Sequence, residues 1–95
     1  MNTYTPKPVD TSDVTLSKDL LELTEKLSEN THDVWAVGRI KQGWKYGLER
    51  NDQKKETTCL LPYDQLPDSE KEYDRQTALE TLKLIVKLGY KIERV

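Results

Sequence analysis

The sequence predicts an α+β fold, a single small domain in which two main helices pack with short antiparallel strands or a hairpin. Three observations predict it. Apolar residues recur at helical spacing over residues 16–38 and again over residues 78–86, and two short β-like runs flank Asn51-Asp52 between them. A chain of 95 residues has room for one hydrophobic core, so a single domain is expected.

The chain opens with a segment that has little to bury. Pro6 and Pro8 stand among polar residues, which predicts an extended arm over residues 1–12 and a folded domain over residues 13–95. The opening MNTYTPKPVD lacks the apolar core of a signal peptide, and no run approaches the roughly 18 apolar residues of a membrane span. Cys59 is the single cysteine, so a reducing, cytoplasmic location is expected. The net charge of −2, with both signs interspersed, predicts neither nucleic acid nor membrane as a partner.

The first helix is predicted from one apolar stripe. At about 100° per residue, the following residues fall within a stripe roughly 60° wide, which predicts the buried face: Leu16, Leu20, Leu23, Leu27, Val34 and Gly38. Thr15 or Ser17 can cap the start, and Gly43 ends the helix shortly after Gln42. The polar run at residues 29–31 leaves open whether this is one helix of about 25 residues or two helices broken near Asn30.

The second helix has its own boundary residues. Ser69 and Glu72 have the spacing of a capping box after Pro67, and Gly89 ends the helix. Its predicted buried face consists of Ala78, Leu79, Leu82, Ile85 and Val86. The alternating sequence YKIERV that follows predicts a short terminal strand.

The segment from His32 to Asp52 concentrates aromatic and cationic side chains. On a continuous helix, His32, Trp35 and Arg39 lie along one edge, with Trp35 at the border of the core and the other two farther round toward solvent. An indole ring beside a guanidinium group suits a planar anionic ligand, which stacks on the ring and binds the cation. This hypothesis assigns ligand binding to His32, Trp35, Arg39, Trp44 and Tyr46.

The same residues also have a structural interpretation, which carries more weight. Tryptophan dominates small cores by its buried area, so Trp35 is expected to anchor the core and Trp44 and Tyr46 to pack the hairpin on the helices. Arg39 can pair with a nearby carboxylate at the surface. No catalytic motif is present, and His32 with Cys59 lacks a third orienting residue, so no catalytic residue, metal site or cofactor is predicted.

Several motifs in the chain follow one family pattern. The run E-N-x-H-x-x-W-x-x-x-R-I-x-x-G-W-x-Y-G is followed by P-x-x-x-L-P, then by Y-x-x-x-x-A-x-E-T-L-K and a closing L-G-Y. With these motifs the chain resembles the ryanodine receptor repeat, or RyR domain, as a stand-alone single-copy member, from about Pro6 to Ile92. The matching residues are Glu29, Asn30, His32, Trp35, Arg39, Ile40, Gly43, Trp44, Tyr46, Gly47, Pro62, Leu66, Pro67, Tyr73, Ala78, Glu80, Thr81, Leu82, Lys83, Leu88, Gly89 and Tyr90.

The resemblance implies a small α+β fold for the RyR domain over residues 13–95, and similar single-copy proteins occur in bacteria and phages. In calcium-release channels the repeats occur as tandem pairs, so a lone copy is expected to form a two-fold homodimer. If the edges with Trp35 and Arg39 line the pairing cleft, the dimer brings two such edges together. The predicted function is a non-enzymatic interaction or scaffold module for protein–protein contact or self-association. The alternatives are a sensor for a nucleotide-like anion and, with least support, an enzyme that uses His32 and Cys59.

Overall fold

A computed structural model describes residues 3–95, so the first two residues of the predicted arm lie outside the described residues. The elements follow in the order α1 (Lys18–Lys41), β1 (Lys45–Tyr46), β2 (Glu56–Thr57), a 3-10 turn (Tyr63–Gln65) and α2 (Asp68–Lys87). The two helices pack against each other, and the 3-10 turn lies against α1. The predicted α+β class with two main helices is confirmed.

Helix α1 is continuous over 24 residues, which answers the question of a break near Asn30. Ser17 caps the start, because its Oγ accepts a hydrogen bond from the backbone N–H of Leu20 at 3.3 Å. At the other end Gly43 adopts the left-handed conformation with φ 92°. The Nζ of Lys55 donates to the carbonyl of Gln42 at 2.7 Å and so satisfies one of the free carbonyl groups at the end of the helix.

The buried face of α1 differs from the predicted one. Leu16, just before α1, is buried as predicted, but on α1 itself the buried residues are Ser28 and His32, and Val34 and Gly38 of the predicted stripe are exposed. At 100° per residue, Ser28 and His32 lie about 110–150° round the helix from the centre of the leucine stripe. Packing decides this: α2 and the turn at Tyr63 cover the Ser28 side, and the buried hydroxyl of Ser28 donates to its own helix at the carbonyl of Thr24, at 2.7 Å.

The strands pair in parallel, so the predicted antiparallel pairing is wrong for β1 and β2. The N–H of Gly47 donates to the carbonyl of Thr57 at 3.2 Å as part of this ladder. A reversal does occur near the predicted turn, where Asn51 and Glu56 form an antiparallel bridge and Lys55 adopts φ 54°. The chain reverses its direction once between β1 and Asn51 and again between Asn51 and β2. Because of these two reversals, β2 runs in the same direction as β1.

Helix α2 begins one residue before the predicted cap. Pro67 precedes the first helical residue and Ser69 lies inside the first turn, so the predicted capping box does not form. Ala78 and Leu82 are buried on the predicted face, and Gly89 ends the helix with φ 97°. The last residues, 90–95, form no strand, in contrast to the prediction.

Long-range polar contacts of Thr11 and Asp13 connect the segment before α1 to α2. Residues 3–10 have no helix or strand and are exposed, but Thr11 is buried and its Oγ1 donates to Glu80 Oε2 at 2.7 Å. Asp13 forms an ion pair with Lys87 at 2.7 Å. Within residues 3–95, no helix combines the length and apolar character needed to cross a membrane.

Candidate functional site

The end of α1 and the turn after it bring the two tryptophans to one place. The backbone N–H of Trp44 donates to the carbonyl of Arg39 at 3.0 Å, because the chain folds back at Gly43. This bond holds the ring of Trp44 beside the last turn of the helix, where Arg39 and Trp35 are one turn apart. The local sequence therefore creates the contact.

The side chains form a stacked row that we call the aromatic–arginine cluster: His32, Trp35, Arg39, Trp44 and Arg50. The rings of His32 and Trp35 are stacked with centroids 5.5 Å apart. The guanidinium carbon of Arg39 lies 5.8 Å from the centroid of Trp35 and 5.2 Å from that of Trp44. The corresponding carbon of Arg50 lies 5.5 Å from the centroid of Trp44. The three guanidinium–ring distances are within the range of a cation–π interaction.

His32 lies in the core and not toward solvent as predicted. It is 5% exposed, and its Nε2 lies 2.7 Å from the carbonyl oxygen of Leu61. Since a carbonyl oxygen only accepts, Nε2 carries a proton and donates. The ring also meets Tyr63 in a tilted arrangement with centroids 6.2 Å apart. His32 therefore joins α1 to the segment before the 3-10 turn, which explains its burial.

Arg39 retains most of its hydrogen-bonding capacity. It is half-buried, and among the described residues its side-chain hydrogen bond is a long one, from Nη1 to Gln42 Oε1 at 3.4 Å. No carboxylate within residues 3–95 forms an ion pair with it, so the predicted surface pairing is absent there. Its remaining N–H groups can bind an anion.

Arg50 is a member of the cluster that no pattern in the sequence predicted. Arg50 follows Trp44 by six residues and lies on the loop after β1. Because the two side chains meet across a loop, their spacing in the sequence follows neither the helical nor the strand period and does not predict the contact. Asp52 accepts a hydrogen bond from the Nε of Arg50 at 2.8 Å and so raises the pKa of Arg50 above its ordinary value. The signal that could have found it is the excess of cations in this part of the chain.

Tyr46 lies outside the cluster. It is part of β1, where it pairs with Thr57, and it is 48% exposed. Of the five residues predicted to bind a ligand, the structure brings His32, Trp35, Arg39 and Trp44 into one row.

Apart from the buried His32, the cluster is partly exposed at the surface, and it lines neither of two grooves found elsewhere on the described chain. One groove of about 790 Å³ lies between residues 8–12 and α2, and another of about 430 Å³ lies between the start of α1 and residues 92–94. Neither is lined by a residue of the cluster. Guanidinium groups already cover ring faces of Trp35 and Trp44. The arrangement therefore offers N–H donors at the surface, away from both of these grooves.

The opposite side of α1 carries exposed aliphatic side chains. Val34, Val37 and Ile40 are 64%, 53% and 62% exposed, and they follow one another at three-residue spacing. Asp33 and Lys41 border them, and both are exposed. We call these five residues the aliphatic face of α1. Contiguous exposed apolar side chains with polar residues at their rim are typical of a protein–protein contact.

The comparison with protein families agrees with the architecture. The family model of the RyR domain matches residues 4–94, nearly the whole chain. This match covers both helices, the strands between them and the aromatic–arginine cluster. The chain therefore belongs to the RyR domain family.

Proposed function

We propose that this chain is a non-enzymatic RyR-type interaction module that binds a protein partner through the aliphatic face of α1. The observation that carries the proposal is the exposure of Val34, Val37 and Ile40 in the last two turns of α1. A single exposed aliphatic residue is ordinary on a protein surface, but three adjacent ones on one helix face form a patch.

The energetics favour burial of this patch by a partner. Burying one aliphatic side chain contributes about 1.5–3 kcal/mol relative to leaving it exposed. Because the three side chains are 53–64% exposed, only about half of that figure is still to be gained for each, roughly 3–5 kcal/mol in total, and part of it offsets the loss of translational and rotational freedom on association. Asp33 and Lys41 provide a polar rim that orients the partner and add little to the affinity.

The geometry around His32 and Cys59 supports the non-enzymatic part of the proposal. The Nε2 of His32 is engaged by the carbonyl of Leu61, and the ring is covered by Trp35 and Tyr63. Within residues 3–95 no hydrogen bond joins His32 and Cys59, so the imidazole is not placed as a base for the thiol. The single thiol also fits the reducing, cytoplasmic location that we propose.

Site-specific photocrosslinking tests the proposal. A benzophenone amino acid replaces Val37 in one variant and Glu22 in the control, in the cells that encode the chain. Glu22 is exposed on the same helix but lies about 22 Å away along the axis. We expect a discrete protein adduct from position 37, none from position 22, and loss of the adduct when Val34→Lys is added. Equal labelling at both positions, or no adduct at position 37, would overturn the proposed docking through this face.

A second candidate function rests on Arg39. Its guanidinium group lies between two indole rings and has unsatisfied donors, and Arg50 adds a second cation on Trp44. Residues 39–56 contain six Lys or Arg and three Asp or Glu, although the whole chain has a net charge of −2. This local positive charge favours a small anionic, nucleotide-like ligand on the aromatic–arginine cluster.

A thermal-shift panel of nucleotides and simpler anions tests this second candidate. A ligand present at about 100 times its Kd stabilises the folded state by about 2.7 kcal/mol. We expect the shift to disappear in Arg39→Ala and to persist in Arg94→Ala, because Arg94 is an exposed arginine outside the cluster. A panel without any shift would leave the cluster with a packing role alone.

A further inference from the structure

We infer that the partner of the aliphatic face is a second copy of this chain, docked with its α1 antiparallel about a two-fold axis at Val37. The inference rests on the proposed function and adds the identity of the partner and the geometry of docking. Exposure alone does not identify the partner, but the order of residues around Val37 does.

The face is self-complementary about Val37. In an antiparallel helix pair with its axis at Val37, residues that are equally distant from it on opposite sides face each other. Val34 then meets Ile40 of the second copy, and Val37 meets its own counterpart. Val34 and Ile40 are each three residues from Val37, so the apolar row of one copy packs on the same row of the second copy.

The charges are complementary in the same register. Asp33 and Lys41 each lie four residues from Val37, about 6 Å along the helix axis, so Asp33 meets Lys41 of the second copy on both sides of the axis. Both side chains are exposed, and within residues 3–95 neither forms an ion pair in its own chain. A parallel arrangement would place Asp33 against Asp33 and Lys41 against Lys41. Electrostatics therefore selects the antiparallel arrangement.

This dimer differs from the one predicted from the resemblance to RyR domains, in which the edges with Trp35 and Arg39 line the pairing cleft. At 100° per residue, Trp35 and Arg39 each lie about 160° round the helix from Val37. Docking through the aliphatic face therefore leaves the two aromatic–arginine clusters on the outer sides of the dimer and does not bring them together. An anion bound to Arg39 and self-association are then compatible in one assembly.

Self-association is expected to be weak. The aliphatic face presents fewer apolar side chains than a standard interface of about 800 Å² per partner. A Kd between about 100 μM and about 1 mM is therefore expected, so the dimer should be detectable at millimolar protein concentration.

Sedimentation equilibrium from micromolar to millimolar concentrations tests the inference with a charge-reversal cycle. Asp33→Lys and Lys41→Asp each replace two attractive contacts with two repulsive ones, and each should weaken dimerisation by about tenfold. The double variant restores opposite charges in the interface and should return the Kd to within about threefold of the wild type. Glu22→Lys, which changes the net charge as Asp33→Lys does, should leave the Kd unchanged. Circular dichroism establishes that each variant is folded.

The outcomes separate this inference from the proposed function. A chain that stays monomeric at millimolar concentration, or a dimer that is insensitive to the charge cycle, overturns the inference. If position 37 then crosslinks to a different protein, the proposed docking face stands and only the identity of the partner is wrong. A monomer without crosslinks at position 37 overturns both. Rescue by the double variant supports both.

Discussion

Replacing His32 with alanine is expected to lower the free energy of unfolding by about 2–6 kcal/mol, worked from three contacts of the ring. The substitution removes the donor to the carbonyl of Leu61, and a buried carbonyl without a partner costs about 1–3 kcal/mol. It also removes the stacked contact with Trp35 and the tilted one with Tyr63, each worth about 0.5–1.5 kcal/mol. Since small domains have a stability of only about 5–15 kcal/mol, this loss is large.

Two further substitutions at this position separate the two contributions. His32→Gln retains an N–H that can reach the carbonyl of Leu61 but removes the ring, so it should lose mainly the energy of the two ring contacts, about 1–3 kcal/mol. His32→Phe retains a ring but leaves the carbonyl without its donor, so it should lose about 1–3 kcal/mol. We expect the alanine variant to be the least stable of the three.

Urea denaturation followed by circular dichroism measures these differences, provided that the slope of the transition is the same for all variants. A loss below about 1 kcal/mol in His32→Ala would refute the reasoning, because the buried hydrogen bond and the stacking would then contribute almost nothing. A phenylalanine variant as stable as the wild type would refute the hydrogen-bond part alone.

Three further predictions concern the arm, the two helix glycines and the ion pair between Glu25 and Arg75. Thr11→Val should lower stability by about 2 kcal/mol and speed proteolysis of the arm, because it removes a buried hydrogen bond to a carboxylate, whereas Thr11→Ser should have little effect. Gly89→Ala should lower the melting temperature because alanine at φ 97° costs about 1–2 kcal/mol, whereas Gly38→Ala within α1 should raise it, since nothing lies within 4 Å of the added methyl group. Arg75 lowers the pKa of Glu25 below its ordinary value, so this carboxylate stabilises the fold above its unfolded-state pKa, and the contribution is lost as the pH falls through the folded-state pKa. Urea titrations should therefore find Glu25→Gln less stable than the wild type at neutral pH and nearly equal to it in acid, and a difference that persists in acid would contradict the assignment.

Local features of the sequence determined the helices and part of the cluster. Both helices end near glycines with positive φ, and such boundaries depend on a few neighbouring residues. Arg39 stands one turn after Trp35 on α1, so their contact also follows from local spacing. The resemblance to RyR domains rests on the same local motifs, and the family match over residues 4–94 confirms it.

Tertiary structure alone decided which side of α1 is buried, how the strands pair and where Arg50 lies. The leucine stripe identified an apolar side of the helix, but α2 and the turn at Tyr63 bury the side with Ser28 and His32, where polar groups have partners. Val34 and Val37 are consequently exposed, and Arg50 reaches Trp44 across a loop. Periodicity reports which residues could share a helix face, but burial depends on contacts between segments far apart in the chain, which local spacing does not encode.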